Sequence, residues 1–558
     1  MRRPFSNLSF GRRSIRLLAG AALLLASVAS VAPPSAQAAT VQELQRSLAV
    51  IRINAIDLLA RGERLPLPIQ QRRDVLRAYY EEKGGDLLWL RDDRPEQLVA
   101  ALEGAAADGL RPTDYPTGQL ISLLQETDFK DIRGLALIEL FFSAAFLEYT
   151  ADLSVGRFLP SKVDPNFFLK TRTLDQAAAL QAVAEAENLD DFFEAWQPAS
   201  SYYASLRGAL AQYREFEAEG GWEPVPLGPA LKPGMTDPRV ADIRERLAVA
   251  DAADPAGPNG PETYDPDLVA AVERFQARHG LDVDGVVGPA ALVAMNVPVE
   301  DRIAEIELAM ERWRWMPRDL GQQYLMVNIA GFDLRRVKDG ETEQRMSVVV
   351  GKPYSRTPVF SDHVRYIELN PYWTVPAGIA VKEELGKLRS NPGGLSAQGF
   401  EAIRGKEVLD LRSINWASYG PGNFPFQLRQ QPGPKNALGR VKFMFPNEHN
   451  VYLHDTPSRS LFSRSERAFS HGCIRVSQPL DLAEQVLIAG GVSGWGMDRI
   501  NKTVATEKNT VVKLAKPLPI HLTYLTAWVD ETGVNFRKDI YNQDAKLLAA
   551  LDGKSLAW

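Results

Sequence analysis

VYLHDTPSRSLFSRSERAFSHGCIRV, residues 451–476, holds two of the six histidines and the only cysteine of a 558-residue chain. Cys473 follows His471 and Gly472 directly, and fifteen residues separate His454 from Ser470. A lone cysteine is most often a small, inert hydrophobe. A reactive one works through its thiolate, and a free thiol titrates near about 8.5, so it needs an imidazole or oriented amides close by. Two imidazoles are on offer. His471 shares a face with Cys473 if the segment is extended, although Gly472 can turn the chain and break that relation. His454 reaches the thiol if NVYLH and SHGC lie on neighbouring elements. Gly472, lacking a Cβ, lets a substrate approach the amides of Gly472 and Cys473, where an oxyanion could be held.

Outward from this stretch the pattern is that of strands. YLMVNIAGFDLRRV (324–337), RMSVVVGK (345–352), VRYIELNPYWTV (364–375) and RVKFMF (440–445) are rich in Val, Ile and aromatics and are broken by Gly and Pro. Residues 377–438 interrupt them with helical AVKEELGKLRSN and a Pro/Gly/Asn-rich loop, an insertion placed to act as a lid. Helix-like PLDLAEQVLIAGG and strand-like LPIHLTYLTAWVDE and VNFRKDIY follow, and 531–558 is set apart as a C-terminal tail.

Upstream, residues 39–220 read as helices, with apolar residues three and four apart and no histidine, a scaffold rather than an active site. GWEPVPLGPAL (221–231) has linker composition. In DPDLVAAVERFQARHG (265–280), Leu268, Val269, Val272 and Phe275 form a stripe, and Gly280 stands where a helix-ending glycine belongs. His279 is read as a surface or helix-end residue. RIAEIELAMERWRWMP (302–317) is an amphipathic helix whose Arg/Trp cluster suits packing between domains better than stacking on bases.

At the N-terminus five arginines precede an apolar run, Leu17–Ala32, and Ala36-Gln37-Ala38 offers a cleavage site, so 1–38 is expected to be a signal peptide. The route, Sec or Tat, stays open, as does an uncleaved anchor. No later stretch reads as long and apolar enough to cross a membrane, which places the mature protein in the periplasm. Its formal charge falls from -6 to -11 once the five arginines are removed, which disfavours nucleic-acid binding. One cysteine rules out an internal disulfide and a multi-cysteine zinc site. With no H-E-x-x-H, a zinc peptidase has thin support, and no metal or other cofactor is expected.

His454, fifteen residues and then Ser470-His471-Gly472-Cys473 resembles the catalytic signature of the L,D-transpeptidases of YkuD type. NPYWTVP, NALGRVKFMFPN and MERWRWMP are similar to the large, YcbB-like Gram-negative branch. Residues 228–300, with F-Q-x-x-x-G-L and then D-G-x-x-G, resemble a three-helix peptidoglycan-binding domain, apart from Ala291 where that family usually has Thr. The implied fold is multidomain α+β: a helical scaffold (39–220), the three-helix unit, and a mostly-β catalytic domain (301–530) carrying the 377–438 cap. The resemblance implies Cys473 as nucleophile, His454 as general base and Asp455 orienting it through its carbonyl. It further implies that His471 and the amides of Gly472 and Cys473 form the oxyanion site. Arg475, Tyr452, Trp373 and Ser470 would contact the peptide stem. Gln478 replaces an Asn frequent in smaller relatives. The implied reaction transfers a tetrapeptide stem through a thioester to make 3→3 cross-links in peptidoglycan. Trimming, protein attachment and a non-enzymatic wall-binding scaffold are the alternatives, peptidoglycan synthases the candidate partners, and carbapenems the expected inhibitors.

Overall fold

The computed structural model describes residues 34–61, 65–82, 85–128, 130–170 and 172–553. The export signal read over 1–38 therefore lies outside the described residues, except for its last five, which begin the helix Pro34–Ala60.

The N-terminal third is helical and centres on Ile132–Val155, capped by the Asp131 carboxylate accepting from Gly134 N at 3.0 Å. This helix corrects one expectation, since it is long and apolar enough to cross a membrane. Its most apolar window is 78% buried by the surrounding helices, so its apolarity builds a domain core. Glu139 sits fully buried in its middle and is satisfied by Tyr80 Oη at 2.8 Å and by the amides of Leu88, Trp89 and Leu90.

A three-helix unit follows: Arg239–Asp251, Pro266–Arg278 and Pro289–Met295. Leu268, Val272 and Phe275 face its core, and Asp265 caps the middle helix while pairing with buried Arg244 at 2.7 Å. His279 is at the helix end but not on the surface. It is buried, stacked on Phe275 at 3.8 Å and facing Phe536 at 5.7 Å.

The helix Val299–Arg314 then packs against the N-terminal helices, the large sheet and the C-terminal elements. Trp313 stacks on Tyr202, Trp315 meets Phe167 edge-on, Arg314 bonds Tyr203 Oη at 2.9 Å, and Arg312 pairs with Asp544 at 2.6 Å. The Arg/Trp cluster is an inter-domain surface.

The catalytic region is a nine-stranded sheet with an insertion. In chain order the strands are β1 (Gln323–Asn328), β2 (Asp333–Lys338), β3 (Glu341–Gly351), β4 (Phe360–Leu369), β5 (Trp373–Thr374), β6 (Phe400–Arg404), β7 (Glu407–Leu409), β8 (Gln427–Gln430), β9 (Val441–Met444), β10 (Leu453–His454), β11 (Ala468–Ser470), β12 (Ile474–Val476) and β13 (Thr510–Thr523). The large sheet runs β11-β3-β12-β10-β9-β4-β13-β1-β2, and β2 also pairs with β3. β5 to β8 form a separate four-stranded sheet with its own core around Leu388, Phe400, Trp416 and Leu428. This is the insertion, and its sheet already begins at Trp373. Buried Asn436 ties its two connecting strands, donating to Pro371 O at 3.0 Å and Gln431 O at 2.9 Å.

Residues 531–552 are no tail. β14 (Ala527–Asp530) and β15 (Gly533–Phe536) form a hairpin, and the helix Asp544–Asp552 docks Lys546 on Asp164 at 2.6 Å. Tyr541, 1% exposed, belongs to the catalytic core.

Candidate active site

Strand alternation assembles the site. β10 and β12 run parallel, with Leu453 opposite Ile474 and His454 opposite Arg475. Leu453 and Ile474 are fully buried and point into the core. Each anchors its strand with about 1.5–3 kcal/mol of apolar burial. Period-two alternation then sends Tyr452, His454, Cys473 and Arg475 to the opposite face. The long spacing between His454 and SHGC is the crossover that a parallel pair requires.

His454 is 4% exposed, and its Nδ1 lies 2.5 Å from the Asp455 carbonyl oxygen. With Nδ1–H donating to that carbonyl, Nε2 carries the free lone pair of a base. Burial first, and then the positive charges of Arg475 and Lys442, push the imidazole down to about 3, so it is neutral at rest. The Asp455 carboxylate holds its own peptide in place, accepting from Arg440 N at 2.9 Å, Thr456 N at 2.7 Å and Arg459 Nη1 at 3.2 Å. Gly439 makes room for it, because a Cβ there would stand 2.3 Å from Asp455 Oδ2, and its φ of 60° favours glycine.

Cys473 is partly buried, and its Sγ lies 3.6 Å from the Asn450 carbonyl oxygen. Burial raises the thiol, while the Tyr452 amide and phenol, Lys442 and Arg475 pull it back down. The resting pair is thus a neutral thiol and a neutral imidazole, not a preformed thiolate. Among the described residues no hydrogen bond joins Cys473 to His454.

Ser470 shapes the turn rather than facing a substrate. Its Oγ donates to Cys473 O at 2.5 Å and accepts from Gly472 N at 3.1 Å. The Gly472 amide is therefore occupied, and the Cys473 N–H is left without an acceptor among the described residues. Gly472 itself sits at φ 113°, a conformation L side chains rarely adopt. His471 turns outward, with Nε2 2.7 Å from Oε1 of Glu383 in the insertion. Trp373 packs inside the insertion against Phe400 at 5.9 Å. Arg475 keeps its Nε buried without an acceptor, and Tyr452 lies beside the sulfur, with its ring 5.7 Å from that of His454. Gln478 accepts from Gln344 at 3.2 Å at the start of the helix Pro479–Ala489.

Sequence reasoning missed a relay behind the turn. Buried Thr357 donates to Gly472 O at 2.8 Å and accepts from Gly351 N at 2.9 Å. Tyr541 Oη in turn donates to Gly351 O at 2.5 Å and accepts from Thr357 N at 3.2 Å. No local pattern signals contacts 115 and 184 residues apart. Among the described residues no group of His, Cys, Asp and Glu is arranged to hold a metal ion.

Such a domain, with a histidine and a cysteine on one sheet face beneath an inserted cap, has known relatives. Residues 322–512 match the L,D-transpeptidase catalytic domain, YkuD. Residues 236–295 match the family described as "Putative peptidoglycan binding domain", and residues 74–210 match a scaffold domain. The chain carries a YkuD-type L,D-transpeptidase catalytic domain behind a helical scaffold and a peptidoglycan-binding domain. A Haemophilus influenzae protein named "Putative L,D-transpeptidase" is 33% identical over 224 residues, 40% of this chain and 45% of that protein, so less than half of the relative is spanned. An L,D-transpeptidase from Xylanimonas cellulosilytica aligns at 16% identity over 53% of this chain and 99% of that one, with a TM-score of 0.17. The L,D-transpeptidase LdtMt1 in complex with imipenem aligns at 15% identity over 36% and 59%, with a TM-score of 0.18.

Proposed function

We propose that the protein is a periplasmic L,D-transpeptidase that forms 3→3 cross-links in peptidoglycan from tetrapeptide stems, with Cys473 as the acyl carrier. The observation that carries this reading is the shared sheet face: a thiol, a neutral imidazole with Nε2 free, and an unacceptored arginine Nε.

Acylation starts from the neutral pair. The thiol leaves the Asn450 carbonyl and passes its proton to His454 Nε2 as Sγ attacks the carbonyl of the third stem residue. The Cys473 amide stabilises the oxyanion. Collapse breaks the bond to the terminal D-alanine, whose amine takes the proton from His454, and a thioester remains. The side-chain amine of diaminopimelate on a second stem then attacks, and its proton returns through His454 to the departing sulfur. The isopeptide bond replaces the thioester, and the enzyme is regenerated with atoms in balance. A low imidazole pKa suits both steps, because a neutral base is available at the start of each. Carbapenems, strained acyl donors, would acylate the same sulfur. The three-helix unit would hold the wall while the cap covers the cleft, and the N-terminal basic and apolar segment would direct export.

Water as acceptor would make the enzyme a carboxypeptidase, and a protein amine would make it an anchoring enzyme. Mass spectrometry of muropeptides incubated with purified protein separates these outcomes. Cross-linked dimers lacking one D-alanine are expected, and they should vanish in Cys473→Ala. Absence of any D-alanine release, with binding to sacculi retained, would leave only the scaffold reading.

A further inference from the structure

Beyond the groups used above, the sheet face around Cys473 carries a cation with no assigned task. Strand register places Glu368, Lys442, His454 and Arg475 in one row, through the pairings Glu368–Lys442, Lys442–His454 and His454–Arg475. Tyr452 and Cys473 lie one step along the same face. Val441 and Phe443, the neighbours of Lys442 on β9, point into the core, so the lysine projects into the site. Its Nζ sits 4.2 Å from the centre of the Tyr452 ring, and Tyr452 in turn touches the sulfur.

Among the described residues no carboxylate lies within 4.0 Å of this ammonium group; Glu368, the nearest acid in its row, makes no ion pair with it. Of the other polar groups near the thiol, His471 and Glu383 satisfy each other and His454 is neutral, while Arg475, whose Nε is buried without an acceptor, is a second cation that acts on the thiol after Lys442. Leaving a half-buried cation without a countercharge is costly unless an anion forms beside it. In this site the anion that forms is the thiolate.

We propose that Lys442 is the fixed countercharge of the Cys473 thiolate, held in place by the Tyr452 ring and tempered by Glu368. It acts on charge alone and forms no bond to substrate. Burial lowers the Lys442 ammonium, while the nearby sulfur and Glu368 raise it; the same lysine draws the thiol down. After burial and Arg475, it also helps keep His454 unprotonated, so the same lysine favours both the nucleophile and the base.

The inference rests on the reading of Cys473 as nucleophile, but its deciding readout, the alkylation midpoint, needs no wall substrate, so the two can fail separately. The full-length mature protein has one thiol, and iodoacetamide alkylation followed by intact mass gives its pH midpoint directly. Lys442→Met should raise that midpoint by about one pH unit, within the range an opposite charge a few ångströms away produces. Lys442→Arg should restore it, and Glu368→Gln should move it down. Equal midpoints in wild type and folded Lys442→Met overturn the proposal. So does a raised KM for tetrapeptide with an unmoved midpoint, which would make Lys442 a substrate contact. If Lys442→Met does not fold, Glu368→Gln decides, and an unmoved midpoint there overturns it.

Discussion

His454 and Cys473, the base and nucleophile of the proposed function, are both uncharged at rest, and this has consequences that can be measured. Burial pushes the imidazole down to about 3 and the thiol up. Iodoacetamide should therefore alkylate Cys473 slowly at pH 6 and ever faster above pH 8. A thiolate–imidazolium pair would instead give a fast plateau reaching into the acid range. Stability should carry the same signature. In the unfolded chain the imidazole binds a proton below about 6.5, while in the folded protein it does so only near 3. The unfolded state thus gains protons as pH falls through that window, and folding loses stability, by a few kcal/mol in order of magnitude. Urea unfolding at pH 7 and pH 4.5 should show a smaller loss for His454→Gln than for wild type. That the two residues lie on neighbouring elements was legible in the sequence, because type and spacing pointed to a paired arrangement. Their charge state was not, since it depends on burial and on Lys442 and Arg475 from other positions.

The SHGC turn is held less by its own residues than by elements behind it. Thr357 bridges Gly472 and Gly351, and Tyr541 locks Thr357. Thr357→Val keeps the volume but loses both hydroxyl bonds, and leaves buried groups unpaired at about 1–3 kcal/mol. Thermal unfolding should fall accordingly, and acylation by a carbapenem should slow about tenfold or more, because the Cys473 amide loses its alignment. Gly439→Ala drives a Cβ into the Asp455 carboxylate and forces a left-handed φ on alanine. It should destabilise by about 1 kcal/mol or more and lower kcat with little change in KM. At this scale strands and helices were readable from hydrophobic period, as the buried 268, 272 and 275 positions and the alternation along β9 illustrate. Within residues 531–552 the strand Gly533–Phe536 was readable in VNFRKDIY, but its docking and the nine-residue helix after it were not, because both depend on distant contacts such as that of Tyr541. Ser470 and the Gly472 amide likewise read as substrate-facing groups, whereas their bonds run inward to each other.

Across the whole molecule, the insertion has its own core and meets the catalytic turn through Glu383 and His471, a partly exposed pair. Such a pair contributes at most about 1 kcal/mol, so Glu383→Gln should leave the melting temperature nearly unchanged. Amide exchange over 377–390 should nevertheless speed up, since a weak contact can still bias a hinged unit. The Ile132–Val155 helix shows why domain placement could not be read from hydropathy alone: the same residues suit a bilayer or a packed core, and only neighbours decide. The proposed function makes one sulfur the acyl carrier. Its role is tested most directly by the intact mass of the full-length protein after incubation with a tetrapeptide donor or a carbapenem. A covalent adduct that maps to Cys473 and is absent from Cys473→Ala is predicted; an unchanged mass, or an adduct on another residue, would contradict the account.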